Sequence, residues 1–526
     1  MLNAPTLSPD YWQSLDVQRQ DVELLQDHLF NTETPLTTRE LLDVLVGARV
    51  QGEREARLKQ RRGESRVYLP HDEYRIGEKL AFPALAWRKG TVTAVRPGVN
   101  PDRDNFEVIA VQLEDGPLLS FAARLEDHPL NREGEDPDEG ADPQAVAAEY
   151  SGEIEQKLEA ALLADENLVR IAGRWFPRAL LVDVNIGHLN LAEALLEMAA
   201  GEPMATPTLM EQLELPAGVN PNLIEFSLNY ALQEDPRFDE VGPAGQVIWC
   251  LRRAEPEDVQ NVPPALRYKP VEYDPSRLTR QMIALDAELD DELSDLEHSI
   301  PHSAEAIICL TYPHWRAGTL PISGRLGSFF PTAYESPRVR FTLVDGKSGQ
   351  RIPAWVVRQY QYVSGLRAWF AARELFPGAL VVVRPGMASG EVMIEAKNRR
   401  PSRDWVRTVL TGSDGGIVFA TLRQQVACDY NDRMTAIITD VSAVEQAVAQ
   451  SAKSRQSLEQ LMVFVVRELS KLTPQGHVHA QEVYSAMNIL RRVPPAPLMA
   501  LLAGSAAIKH VGDLYFRLST EDTEEE

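Results

Sequence analysis

LAEALLEMAAGEPMATPTLMEQLELPAGVNPNLIEFSLNYALQEDPRFDEVGPAGQVIWCL, residues 191–251, changes pattern four times. LNLAEALLEMAAGEP, entered two residues upstream, has helical spacing and stops at Gly201 and Pro203. TPTLMEQL is a second, short helix, with Thr206 as N-cap and Pro207 suited to the first helical position. NPNLIEFSLNYAL is a third helix, with Pro221 just inside its start. DPRFDEV and VIWCL then alternate as two short strands, and GPAGQ between them supplies a glycine-containing hairpin turn.

The same plan returns at the end of the chain. In residues 441–518, SLEQLMVFVVRELSKL is an amphipathic helix, HAQEVYSAMNIL a second and PPAPLMALLAG a third. AIKHVGDLYFRL closes as two strands around Gly512 and Asp513. Residues 17–62 repeat the opening of the pattern. VELLQDHLF is followed by TTRELLDVLV, with Thr37 or Thr38 as N-cap and Glu40 in the first turn. Three short helices and a β-hairpin resemble a winged helix, a helix-turn-helix variant. In plan and wing the units resemble the HARE-HTH domains of polymerase accessory subunits, chromatin proteins and restriction systems. That resemblance implies contact with DNA or with a protein partner. The third helices here carry almost no bases, which argues against base readout by them.

Two β-rich blocks separate the helical units. Residues 67–125 hold YRIGEKLAF, GTVTAVRPG, FEVIAVQLEDG and LLSFAARL, rich in Val, Phe and Tyr, with turns at Gly77, Gly98 and Gly116. They resemble SH3-like and Tudor-like barrels. Phe82, Trp87 and Phe106 are either a binding surface or core. Residues 304–440 hold AEAIICLTY, RVRFTLVD, RIPAWVVRQ, ALVVVRPG, EVMIEAK, GGIVFATL and MTAIITDV as strand candidates, with DGKSG as a hairpin turn and GLRAWFAARELF as a helix. The order in residues 338–397 resembles the B3-type DNA-binding pseudobarrel, which implies major-groove reading from its loops.

The expected architecture is a multidomain α+β chain of winged-helix units plus small β-barrels, joined by acidic or Pro-rich linkers. In order it runs as an N-terminal helical segment read as a wingless copy (1–66), an SH3-like barrel (67–130), an acidic linker (131–148) and a winged-helix domain (149–253). A Pro-rich connector with an acidic amphipathic helix (254–302), a B3-like barrel (303–440), a C-terminal winged-helix domain (441–519) and an acidic tail (520–526) complete it.

Net charge is −24, but three segments carry most of it: residues 124–143 with eight acids and two bases, 285–297 with seven acids and no base, and the tail with five acids. The rest is near neutral, which leaves room for local basic faces. Two are candidates for nucleic-acid contact. One is EAKNRRPSRDWVR, with Lys397, Arg399, Arg400, Arg403 and Arg407 around Trp405; its alternative reading is a loop whose arginines pair with acids. The other is Arg54, Arg57, Lys59, Arg61 and Arg62, flanked by Arg49 and Arg66, with a solvated helix face as the alternative. In residues 280–297, Met282, Leu285, Leu289, Leu293 and Leu296 predict one helix with an apolar stripe and an acidic face.

No phosphate loop, GxGxxG, HExxH or GxSxG motif is present. His477 and His479 would need further metal ligands nearby. No catalytic residue, metal or cofactor is expected, and Cys250, Cys309 and Cys428 suit a reducing cytoplasm. No apolar run is long enough to span a membrane. The expectation is a non-enzymatic, transcription-associated protein that binds duplex DNA. Two alternatives stay open: a scaffold docking on RNA polymerase or a defence complex, and an enzyme with an unrecognised site in residues 303–440.

Overall fold

The computed structural model describes residues 11–12, 15–62, 65–99, 106–114, 116–131, 145, 148–215, 218–298, 303–388, 390–413, 415–453 and 456–519; within helices the side chains of residues 53–54, 56–62, 151 and 153 are outside that description. The chain is mixed α+β and divides into two compact units: Met1–Arg170 with Arg174–Leu181, and Ile171–Gly173 with Val182–Glu526.

In the first unit, helix α1 (Arg19–Thr32) leads through strand β1 (Leu36–Thr37) into helix α2 (Thr38–Arg62). Thr37 and Glu40 form the start box: the Thr37 N–H donates to Glu40 Oε2 at 2.7 Å, and the Glu40 N–H donates to Thr37 Oγ1 at 3.2 Å. The chain then builds a five-stranded sheet from β2 (Arg66–Val67), β3 (Lys79–Phe82), β4 (Arg88–Pro97), β5 (Glu107–Leu113) and β6 (Leu118–Ala123), in that order. Tyr68, Phe82 and Phe121 stack inside it, with Phe82 and Phe121 centroids 4.4 Å apart. Phe82 is therefore core, while Trp87 and Phe106 are half-buried.

After the sheet the chain returns to the helices it left. Helix α3 (Ser151–Leu163) is followed by strands β7 (Leu168–Ile171) and β8 (Arg174–Pro177). Leu36 pairs with Trp175 and Thr37 with Arg174, so β1 joins the hairpin. Leu25, Leu29, Leu41, Leu45, Ile154, Leu158, Leu162 and Trp175 form one core. The N-terminal helices thus have a third helix and a hairpin, supplied from beyond residue 150. Residues 149–170 and 174–181 fall in the same compact unit as the N-terminal helices rather than with the next helices.

In the second unit, α4 (Ile186–Met198), β9 (Met204–Ala205), α5 (Thr206–Met210), α6 (Pro221–Glu234), β10 (Phe238–Glu240) and β11 (Ile248–Leu251) repeat the order. Asn185 and Asn220 cap α4 and α6 with their side chains. Thr206 is not a cap, contrary to expectation. It is fully buried and donates to Asn229 Oδ1 at 2.6 Å, an atom that also accepts from Trp249 Nε1 at 2.9 Å. This satisfied polar cluster ties the second and third helices to the hairpin. The residues after β11 are packed rather than linking loosely: Val259 and Leu266 are buried with Trp355, Val357 and Tyr362.

Helix α7 (Arg280–Leu289) is shorter than its leucine spacing predicts. Asp290 enters the left-handed region at φ 50° and ends it, so Leu293 and Leu296 do not extend the stripe. A seven-stranded sheet follows, from β12 (Ala306–Cys309), β13 (Thr319–Pro321), β14 (Arg338–Asp345), β15 (Arg351–Val357), β16 (Tyr362–Ser364), β17 (Leu380–Pro385) and β18 (Glu391–Ala396), ordered β12-β17-β18-β14-β15-β16-β13. Helix α8 (Tyr312–Ala317) lies between β12 and β13, and α9 (Arg367–Ala372) between β16 and β17. Only β14 and β18 pair in parallel in this sheet.

The basic stretch, for which a loop was the alternative reading, is a strand. β19 (Asn398–Thr411) and β20 (Ile417–Cys428) form a long antiparallel ribbon, with a register shift between Asn398 and Ser402. MTAIITDV shrinks to the two-residue β21 (Ile437–Ile438) beside β19. Helices α10 (Val441–Lys453) and α11 (Leu458–Ser470), strand β22 (Val478–His479), helices α12 (Ala480–Leu490) and α13 (Pro495–Gly504), and strands β23 (Ile508–Gly512) and β24 (Tyr515–Leu518) finish the chain. Residue 440 is no boundary: Val409, Ile417 and Phe419 of the ribbon share one core with Val465, Met487 and Phe516. Helix α7 enters that core through Met282 and Leu285, and Arg277 occupies the space a Cβ at Gly504 would need.

Candidate nucleic-acid interface

On β19 the residues Val406 to Val409 are buried, whereas before them Arg400, Arg403 and Trp405 are exposed; on β20, Val426 and Cys428 are buried beneath that part of the ribbon. The change follows from side-chain chemistry. Val406, Thr408 and Val409 can be desolvated cheaply, whereas Arg400, Arg403 and Trp405 lie where the partner strand is the only cover. In an antiparallel ribbon, directly opposed residues share a face. Trp405 opposes Arg423 and Arg403 opposes Gln425, so these four side chains stand together. All four are exposed, and Trp405 is 70% exposed. Among the described residues, no acid lies within ion-pair distance of Arg400, Arg403 or Arg423.

The other predicted members of this patch have different fates. Arg399 pairs with Asp404 and lies over the Tyr430 ring at 4.7 Å. Desolvation alone would lower its pKa, but the Asp404 and Tyr430 contacts outweigh that and raise it. Lys397 is 3.6 Å from Asp429. Arg407 is buried; its Nε–H donates to the Thr435 carbonyl at 2.9 Å, a second N–H to the Arg433 carbonyl, and Glu482 lies 3.5 Å away. Burial pushes its pKa down. Arg407 therefore holds the strand after Met434 in place and is no surface contact. Arg423 was invisible to sequence reading, being one arginine in a strand twenty residues from the cluster it joins.

In the first unit, Arg49 makes a two-point pair with Asp21 at 2.7 and 3.0 Å, and Arg66 pairs with Asp72 and Glu78. The side chains of Arg54, Arg57, Lys59, Arg61 and Arg62 lie outside the described residues, on the last turns of α2.

The third helices of the second unit are covered. In α6, Leu223, Ile224, Phe226, Ser227, Leu228, Asn229 and Leu232 are buried; α13 is buried from Pro495 to Ala500 and at Leu502. Neither presents a side-chain row that a groove would accept.

A second polar centre lies inside the acidic run. Arg492, almost fully buried, donates to Asp291 at 2.5 and 2.7 Å and to Glu292 at 2.7 Å. The Tyr484 hydroxyl donates to Asp291, and His314 Nε2 lies 3.1 Å from Glu292. A cavity of about 160 Å³ adjoins them, lined also by Asp290, Arg325, Asn431 and Gln481. Burial raises the pKa of Glu292, but the charges of Arg492 and His314 outweigh it and hold the carboxyl below the usual range. Asp290 accepts from Ser323 and from the Arg325 N–H. Asp290, Asp291 and Glu292 are each already bound, so the chemistry of this centre is that of a clamp. His479 caps α12, its ring nitrogen accepting from the Gln481 N–H at 3.2 Å. Burial and then the charge of Arg433 lower its pKa to about 4, which keeps it neutral. Among the described residues no cluster of His, Cys, Asp and Glu fits a metal ion.

No protein-family model matches the chain, and neither does any curated protein or solved structure.

Proposed function

We propose that this chain is a non-enzymatic nucleic-acid-binding protein whose contact surface is the open part of the β19–β20 ribbon. The observation that carries this reading is the pair Arg403 and Arg423 beside exposed Trp405 with no acidic partner among the described residues, with Arg400 also exposed in the irregular stretch just before them, on a chain of net charge −24. Residues 397–430 hold six bases and three acids. In so acidic a chain, unpaired arginines grouped on one face are the expected footprint of phosphate binding.

The modular plan supports the same reading. Three times the chain sets a helix, a two-residue strand, two helices and a hairpin in order, and each time the short strand pairs with the last strand of the hairpin. This order supports a winged-helix reading of the three modules, and the seven-stranded sheet with two short helices supports a B3-like reading of the block between them. Because α6 and α13 are buried, contact passes to the ribbon instead. The three scattered cysteines suit a cytoplasmic, transcription-associated setting. No helix among the described residues is long and apolar enough to cross a membrane.

A fluorescence titration of the full chain with labelled DNA, repeated from about 50 to 200 mM salt, tests the proposal. Affinity rises as salt falls, and Arg403→Ala with Arg423→Ala flattens the salt slope by about two contacts. No binding at low salt defeats it. One observation favours the second reading, a protein-docking scaffold: Ile186, Leu191 and Met198 of α4 are exposed, Met198 by 83%. Capture of a stable protein partner by a chain that binds no nucleic acid would select that reading.

A further inference from the structure

Resting on that nucleic-acid reading, we propose that the ribbon takes an unstacked base, so that its ligand class is single-stranded or locally unpaired nucleic acid rather than continuous duplex.

The side chain that makes this choice is Trp405. An indole is the largest apolar surface a residue can offer, and leaving it 70% exposed forgoes the burial that folding would reward. Nothing in the ribbon covers it. The nearby Tyr430 ring is occupied by Arg399, and the opposed residue is Arg423, a cation that stays in water. Arg403 stands two residues along on the same face, and Gln425 opposes Arg403. The ring is therefore flanked by one guanidinium across the ribbon and one along it, separated by ordinary cross-strand and same-face spacings.

These spacings match a nucleotide rather than a groove. A base stacked on the indole leaves its own phosphate and the next within reach of the two arginines. A continuous duplex offers the same arginines its phosphates, but its base faces are already stacked, and its grooves show only base edges. The Trp405 ring would gain nothing there. Gln425 supplies an amide on the same face as the ring and no acid stands there to read a base edge among the described residues, so base identity is weakly read and the preference is for an open strand over a sequence.

Full-length protein is titrated with two labelled probes, an oligothymidine of about 12 nucleotides and a duplex of about 12 base pairs, at about 50 mM and 150 mM salt. The wild-type chain binds the single strand at least 10-fold more tightly. Trp405→Ala weakens the single strand about 10- to 100-fold and leaves duplex affinity within about twofold. Trp405→Phe keeps most of the single-strand affinity, and Arg403→Ala with Arg423→Ala weakens both probes. Quenching of indole emission by oligothymidine, present in wild type and lost in Trp405→Phe, gives a readout independent of affinity. If Trp405→Ala leaves the single strand unchanged while the arginine variant weakens both probes, the inference falls and the nucleic-acid reading stands. Equal affinity for the two probes also overturns it. If neither probe binds at about 50 mM salt, the underlying reading has failed and takes the inference with it.

Discussion

Two charged runs in this chain went opposite ways. Residues 285–297 carry seven acids, of which Asp286, Asp291 and Glu292 turn inward and are among the least exposed side chains, while Glu288, Asp295 and Glu297 stay in solvent. Residues 397–407 carry five bases, and Arg400, Arg403 and Trp405 end in solvent. Local composition favours neither outcome. What differs is the counter-charge. Arg492 arrives from the end of α12 and meets both acids, and His298 Nε2 lies 2.7 Å from Asp286. Arg403 and Arg423 meet no acid. A charge goes inside when a partner is there to offset its desolvation, and stays out otherwise.

The sharpest way to break this contrast is Arg492→Met. It leaves Asp291 buried without a cation and Glu292 with His314 alone, and the expected cost is about 3–5 kcal/mol, read from the urea denaturation midpoint. A loss below about 1 kcal/mol would mean the acids do not depend on their partner. Leu158→Ala comes next, at about 2–5 kcal/mol. Leu158 is fully buried beside Leu41 and Leu45, so hydrogen exchange should quicken in 19–62 and 151–163 together. Faster exchange in only one of the two segments would restore a boundary at the acidic linker.

Glu240 supplies an acid buried without an arginine. Burial first, then the nearby Glu335, push its pKa up to about 8, against the hydrogen bond from the Gly242 N–H. Its protonated form is the one the fold favours, so its contribution is full below the ordinary carboxylate pKa of about 4.3 and is lost as pH rises through about 8. Glu240→Gln is therefore expected to gain stability over wild type near pH 9 and to show no gain near pH 4, measured as paired midpoints. An equal effect at both values would show that ionisation is not the cause. The smallest change expected is in the stability of Trp405→Ala, within about 0.5 kcal/mol of wild type, because the ring is exposed. A larger loss would make Trp405 a packing residue and remove the contrast between the two runs.

Much of the architecture was legible. Helical spacing with Pro221 and the Thr37–Glu40 box marked helix starts, and glycine turns marked the hairpins, while the Asn185 cap went unread. Four features were not legible, each for a physical reason. The third helix of the first module follows an insertion, so adjacency in sequence misassigned it. β19 carries Arg, Pro, Ser and Asp on both faces before Val406, which hides the two-residue period of a strand. The end of α7 depends on Asp290 turning left-handed, after which the acids seek a partner some two hundred residues away. Of the candidate contact residues, Arg403 and Trp405 were picked out as neighbours in a basic-plus-aromatic stretch and stand together on the ribbon, while Arg407 was lost to a backbone cage no local pattern announces.

The five-stranded sheet between α2 and α3 has a consequence for synthesis. When α1 and α2 leave the ribosome, the helix that completes their core has not been made. At typical translation rates the stretch from Arg62 to Ser151 takes on the order of ten seconds. The inserted sheet closes from neighbours in sequence and needs no such delay. The nascent chain therefore carries a finished small domain beside two helices whose leucines wait, uncovered, for a partner still being translated.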